Sequence, residues 1–147
     1  MLRLALIFTF ISVCCSVSAQ HVSTRDNYYR QLNEKYTSAL FRSDDAFILV
    51  PMDDKTAGSY LTVFSYLQGK IAGLQIYTVG FAAYVSYRQA KTAFFLDEMP
   101  VDAGELSSVS MEDIAMIKVF RPPFIGAIGG GPGGAIAVYT KLGDEEE

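Results

Sequence analysis

The sequence predicts an α+β fold, a small domain with a mixed sheet of about four to six strands and two main helices. Three observations carry that expectation. Short runs of alternating or continuous apolar residues outnumber stretches with a 3.6-residue period, and turn residues separate most of these runs by a few positions, which favours hairpins. The length of 147 residues suits one core. Half the residues are hydrophobic and 13% are aromatic, enough apolar surface to build that core.

Residues 1–19, MLRLALIFTFISVCCSVSA, have the parts of an export signal. Arg3 supplies the positive start, residues 4–13 the apolar run, and Val17-Ser18-Ala19 the small residues read before cleavage ahead of Gln20. Cys14 and Cys15 close the apolar run and raise a lipoprotein reading, but Val13 stands where a small residue is expected. Cleavage removes both cysteines and one arginine, leaving an acidic domain with no disulfide, thiol nucleophile or thiolate for zinc.

Residues 20–45 are expected to form an N-terminal helical segment. Tyr28, Tyr29, Leu32, Tyr36 and Leu40 recur at helical spacing over 23–41, and Ser23 or Thr24 is placed to cap the helix. Residues 46–50 read as a short buried strand stopped by Pro51. Tyr60, Val63, Phe64, Leu67 and Ile71 predict a second helix, capped by Ser59 and ended by Gly69. Alternation over 74–78 and again over 81–88 predicts two strands, with Gly80 suited to the turn between them. Residues 93–96 make another strand, 97–100 turn the chain, and Val101 continues the hairpin. Residues 110–113 read as a helical turn or cap before a strand over 114–120, which Pro122 and Pro123 end. The last strand covers 135–140, and residues 144–147 form an acidic tail.

Several functions are excluded. A net charge of -4 and a pI near 4.9 argue against a phosphate-binding nucleic-acid surface. The chain is too short for the eight or more strands of a membrane barrel. Beyond the signal it has no apolar stretch of about 18 residues to span a bilayer as a helix. Gly129, Gly131 and Gly134 have the G-x-G-x-x-G spacing, but a strand-like segment follows, no acidic residue lies at the required distance, and no Lys-Ser or Lys-Thr follows the glycines. The glycine run is read as a long flexible turn that brings a strand back into the sheet. His21 is the only histidine, so a metal site is not expected. Asp53-Asp54 and Asp97-Glu98 sit in turn-like sequence beside prolines and read as solvated, not as a catalytic pair. There is no Gly-x-Ser-x-Gly. No catalytic residue, cofactor or metal is assigned, and an enzyme is not expected. Tyr77, Tyr84 and Tyr87 fall on strands, where they serve either a recognition surface or the core.

Four segments, taken in order, resemble the plug domain of TonB-dependent outer-membrane receptors, especially the SusC-like group of Bacteroidetes. Leu67-Gln68-Gly69-Lys70-Ile71-Ala72-Gly73-Leu74-Gln75-Ile76 is similar to that family's Leu-Gln-Gly-Lys/Arg-Val-Ala-Gly-Val-Gln-Val. Phe94-Phe95-Leu96-Asp97-Glu98-Met99-Pro100-Val101 is similar to its Tyr-Val-Ile-Asp-Gly-Val-Pro-Val hairpin. Met111 to Phe120 resembles its Asp-Ile-Glu-Ser-Ile-Glu-Val-Leu strand, and Gly133 to Lys141 its closing Asn-Gly-Val-Ile-Ile-Ile-Thr-Thr-Lys. Ser86-Tyr87-Arg88-Gln89 stands where the family often has Ile-Arg-Gly, so a glycine is missing. Residues 121–126 and the glycine run replace a Ser-Ala/Tyr-Gly segment. No TonB box is evident; residues 47–50 come nearest but read as a core strand.

The resemblance implies a plug-like domain over residues 46–143, without a barrel in this chain. It implies an exported, non-catalytic binding or accessory module in the periplasm or at the periplasmic face of the outer membrane. Its partner would be a receptor barrel or a TonB-system protein. A receptor fragment that has lost its barrel, and a small-ligand-binding protein on the same fold, remain open. Two partner surfaces are expected. One is the loop over 121–134, with Arg121, the Pro122-Pro123 corner, and Phe124 and Ile125 either exposed or folded back onto the sheet. The other is an exposed sheet edge able to accept a strand.

Overall fold

The structure, a computed structural model, describes residues 25–43, 45–79 and 82–143. The expected signal, His21, the Gly80 turn and the acidic tail all lie outside the described residues. The chain divides into two units between Lys35 and Tyr36. The first contributes most of α1, a helix over residues 25–36. There the Arg25 guanidinium donates to the Tyr29 hydroxyl one turn on (Nη2 to Oη, 2.9 Å), a pairing that helical spacing provides. The helix stops five residues before its expected end. Residues 37–43 instead run as a non-helical strap of the second unit, turned by the Phe41 N–H donating to the Ser38 carbonyl at 3.1 Å.

The second unit holds two sheets. The larger has the order β1 (Ala46–Leu49), β7 (Ile114–Phe120), β8 (Ala135–Thr140), β5 (Ala93–Leu96), β6 (Met99–Val101). It is mixed, because β5 and β8 run parallel while its other pairs are antiparallel. The smaller sheet is antiparallel, with the order β2 (Leu74–Val79), β3 (Ala82–Tyr87), β4 (Ala90–Lys91). Two short helices, α2 (Val63–Leu67) and α3 (Ala103–Ser108), complete the unit with three 3-10 turns.

Both short helices start where side chains can satisfy their free N–H groups. Thr62 and Ser65 form a reciprocal capping box on α2, and Asp102 and Glu105 do the same on α3. The second helix is therefore shorter than its apolar period suggests: Thr62, not Ser59, is its cap. Gly69 and Gly73, with φ of 76° and 85°, then carry the chain from helix into β2.

The larger sheet is buried on both faces. On one, Ile117, Val119, Ile136 and Val138 meet Val63, Phe64 and Leu67 of α2, Leu106 of α3, and Ile76 and Val85 of the smaller sheet. On the other lie Phe95, Lys118, Phe120 and Tyr139, all fully or almost fully buried. Central strands covered on both sides read as continuous apolar runs, as β7 and β8 do.

Candidate functional site

The second face of the larger sheet carries the loop expected to bind a partner. Arg121, at the end of β7, pairs with Asp45 (Nη1 to Oδ1, 2.7 Å) and lies 4.8 Å from the centre of the Phe47 ring. Both groups of the pair are largely exposed, so it contributes little stability. Pro122 is half-buried and Pro123 exposed, and the bond between them is cis.

For Phe124 the structure takes the folded-back alternative. It is 5% exposed, and its ring lies 4.4 Å from that of Phe120, 5.5 Å from Phe41 and 5.8 Å from Phe95, centre to centre. Four phenylalanines from the strap, two strands and the loop thus make one cluster, with the edge-on and tilted packing that aromatic quadrupoles favour. The Phe124 N–H donates to the Gly131 carbonyl at 3.0 Å and closes the loop upon itself. A side chain at Gly130 would overlap the Phe124 carbonyl oxygen, so this closure needs a glycine there. The loop's apolar tips are Ile125 and Ile128, 89% and 93% exposed. The second half of the glycine run is not loose: a Cβ on Gly133 would overlap the Lys91 carbonyl, and the Thr92 hydroxyl donates to the Gly133 carbonyl at 3.1 Å.

The strap is fixed by two charge-assisted hydrogen bonds. Lys118 is completely buried, and its ammonium donates to the Phe41 carbonyl at 2.7 Å. Glu98 accepts from the Ser38 N–H at 2.6 Å and stands 3.4 Å from the Tyr139 hydroxyl. Burial first, and then the Glu98 charge, push the Tyr139 phenol far above its ordinary value. Asp97 and Glu98, both at positive φ, form the two-residue turn between β5 and β6. Asp97 accepts from both the N–H and the hydroxyl of Thr140, each at 2.9 Å, which ties that turn to the end of β8.

Next to the loop an open groove of about 980 Å³ runs between the β2–β3 hairpin and β5. Its walls include Tyr77, Tyr84, Lys91, Phe94, Asp102 and residues 129–132. Of the three strand tyrosines, Tyr77 and Tyr84 are exposed and face each other across β2 and β3, whereas Tyr87 is buried in the core. The acidic pairs are not merely solvated: Asp97 and Glu98 hold Thr140 and Ser38, and Asp54 of the first pair has partners of its own. Asp54 lies 2.6 Å from the Lys70 ammonium, which, with the Thr56 hydroxyl and N–H, holds its carboxyl well below the usual range. Burial is the largest single influence on the Lys70 ammonium and lowers it, but Asp54 and Tyr66 together outweigh burial and raise it. That ammonium also sits 3.8 Å from the centre of the Tyr66 ring. Among the described residues no cluster of three or more His, Cys, Asp or Glu is placed to hold a metal, and no helix is long and apolar enough to cross a membrane.

Arg121, Phe124 and Ile125 are thus neighbours in chain but not in role. One packs on β1, one is core and one is exposed. Lys118, Phe41 and Glu98 escape sequence reasoning, since the two hydrogen bonds by which they fix the strap span 77 and 60 residues.

The second unit has a plug-like α+β fold of the kind present in TonB-dependent receptors. Among solved structures, the RagAB peptide importer in its closed-closed state matches 67% of this chain with a TM-score of 0.55 at 16% identity. The siderophore receptor PirA of Acinetobacter baumannii matches 73%, with a TM-score of 0.55 at 16% identity. A ferric enterobactin receptor, PfeA of Pseudomonas aeruginosa, matches 69%, with a TM-score of 0.53 at 16% identity. At such identities the likeness is one of fold. The matches cover only 12%, 19% and 18% of those three chains. No family model and no curated protein matches the sequence.

Proposed function

We propose that residues 46–143 work as a non-catalytic, plug-like binding module of TonB-dependent outer-membrane transport. The module is exported by the signal over residues 1–19 and acts in the periplasm or at the periplasmic face of the outer membrane. Its partner is a receptor barrel or a TonB-system protein. The observation that carries this reading is the shared fold with a peptide importer and two siderophore-type receptors. The anchored loop supports it: Phe124 holds the base, while Ile125 and Ile128 project into solvent on a rigid mount.

A photo-crosslinking residue at Ile128, in cells that make the protein, tests the partner. The expected adduct contains an outer-membrane barrel or a TonB-system protein, and Ile125→Asp reduces it several-fold. Adducts confined to cytoplasmic proteins, or an N-terminus that is never processed to Gln20, would overturn the reading. The groove beside Tyr77 and Tyr84 favours a second reading, direct capture of a small ligand. A thermal-shift screen of glycans, peptides and siderophores separates the two, because a flat response removes the second.

A further inference from the structure

The strap and the loop over 121–134 support each other at defined points. The strap, residues 37–43, turns on itself: the Phe41 N–H donates to the Ser38 carbonyl and the Ser43 N–H to the Phe41 carbonyl. Side chains tie its backbone to the sheet. Glu98 accepts from the Ser38 N–H at 2.6 Å, and the Lys118 ammonium donates to the Phe41 carbonyl at 2.7 Å. The loop is also closed on itself, since the Phe124 N–H donates to the Gly131 carbonyl and the Gly130 N–H to the Ala127 carbonyl. A segment closed in this way moves as one body when its seat is lost.

The strap completes that seat. Phe41 is 2% exposed and forms one wall of the aromatic cluster that takes Phe124, with the two ring centres 5.5 Å apart. Gly126 is held between strap and ring: a Cβ there would stand 2.6 Å from the Leu40 carbonyl oxygen and 3.1 Å from the Phe124 ring. The Leu40 carbonyl is part of the peptide group that leads into Phe41. When the strap lifts, Phe124 therefore loses a wall and Gly126 its backing in one step. We propose that the strap is a latch for the loop. Seated, it holds Ile125 and Ile128 out on a rigid mount; lifted, it frees the loop between residues 122 and 131. Coupling free energy is the same in both directions, so whatever grips the loop also holds the strap down. Its use in binding rests on the proposed role of Ile125 and Ile128 as partner contacts. The latch itself rests only on contacts within the chain.

The test is amide hydrogen exchange of the purified full chain, read by mass spectrometry over the strap, residues 124–131, and strands β2 and β3. Glu98→Gly removes the acceptor of the Ser38 N–H from outside the loop, and glycine suits the positive φ of that turn position. Gly126→Ala sets a methyl group against the Leu40 carbonyl from the loop side. Each variant is expected to quicken exchange about fivefold or more in both strap and loop, with β2 and β3 as in wild type. A variant that loosens its own segment and leaves the other at wild-type rates overturns the latch. So does a Glu98→Gly strap that exchanges no faster, or β2 and β3 amides that quicken as much as the loop. Glu98→Gly alone decides the matter where Gly126→Ala does not fold. No partner is present, so this result stands or falls separately from the crosslinking at Ile128.

Discussion

Truncating Phe124 to alanine is the sharpest test of how the loop is held. The ring is 5% exposed and touches three other phenylalanine rings, with centroids between 4.4 and 5.8 Å away. Removing a buried phenylalanine ring costs about 3–5 kcal/mol, the spread reflecting how far the site collapses. Two local features act in opposite directions. The loop lies at the surface and can settle inward, which reduces the cavity contribution. Yet the lost ring also takes with it its aromatic pairings, each worth about 0.5–1.5 kcal/mol beyond burial. The expected loss is therefore about 4 kcal/mol, a large part of the roughly 5–15 kcal/mol that holds a domain folded. Urea unfolding reads it as a lower midpoint at unchanged slope. Ile125→Ala, one residue away but 89% exposed, should stay within about 0.5 kcal/mol of wild type. A loss below about 1 kcal/mol for Phe124→Ala, or an equal loss for Ile125→Ala, would refute the aromatic anchor.

Three further outcomes are expected. Lys118→Met keeps the shape of the stem but leaves the Phe41 carbonyl without the ammonium that now bonds it at 2.7 Å, a cost of about 1–3 kcal/mol; hydrogen exchange should quicken in the strap at residues 38–43 before it does so in β7. The Asp54 carboxyl is depressed in the fold, so its stabilising effect is complete above the unfolded value near 4 and is lost as pH falls toward its lower folded value. Melting temperatures between about pH 5 and 2 should accordingly fall less steeply for Asp54→Asn than for wild type. Tyr139 is raised in the fold, so above about pH 10 the unfolded chain releases a proton that the native state retains. Stability should drop on that alkaline limb, and Tyr139→Phe should flatten it.

Much of the sheet is legible in the sequence because its strands are either alternating or continuously apolar. β2 and β3 show their faces directly: Ile76 and Val85 are inside, and Tyr77 and Tyr84 outside. The period of Tyr60, Val63, Phe64, Leu67 and Ile71 reports burial faithfully, but it does not report helix length. Only Val63–Leu67 is α-helical, because the preceding residues turn as a 3-10 segment and Thr62 caps late. The helix α3 is hidden for the opposite reason. Its sequence, Ala-Gly-Glu-Leu-Ser-Ser, has one buried residue, Leu106, and therefore no apolar period. The readable signal there is the Asp102-x-x-Glu105 capping box. Phe124 and Lys118 show what local patterns cannot carry. A phenylalanine after two prolines looks exposed until Phe41 and Phe95 come to it from elsewhere in the chain. A lysine inside an apolar strand looks like an outward residue until the strap supplies a carbonyl.

The position of β8 has a consequence for the order in which the domain is made. It lies between β7 and β5 and is hydrogen-bonded to both, yet among the described residues it is the last strand in sequence order. A chain made from its N-terminus presents β5 and β7 before the element that joins them. Until residues 135–140 arrive, each has an open side. The larger sheet therefore cannot close until residues 135–140 are in place.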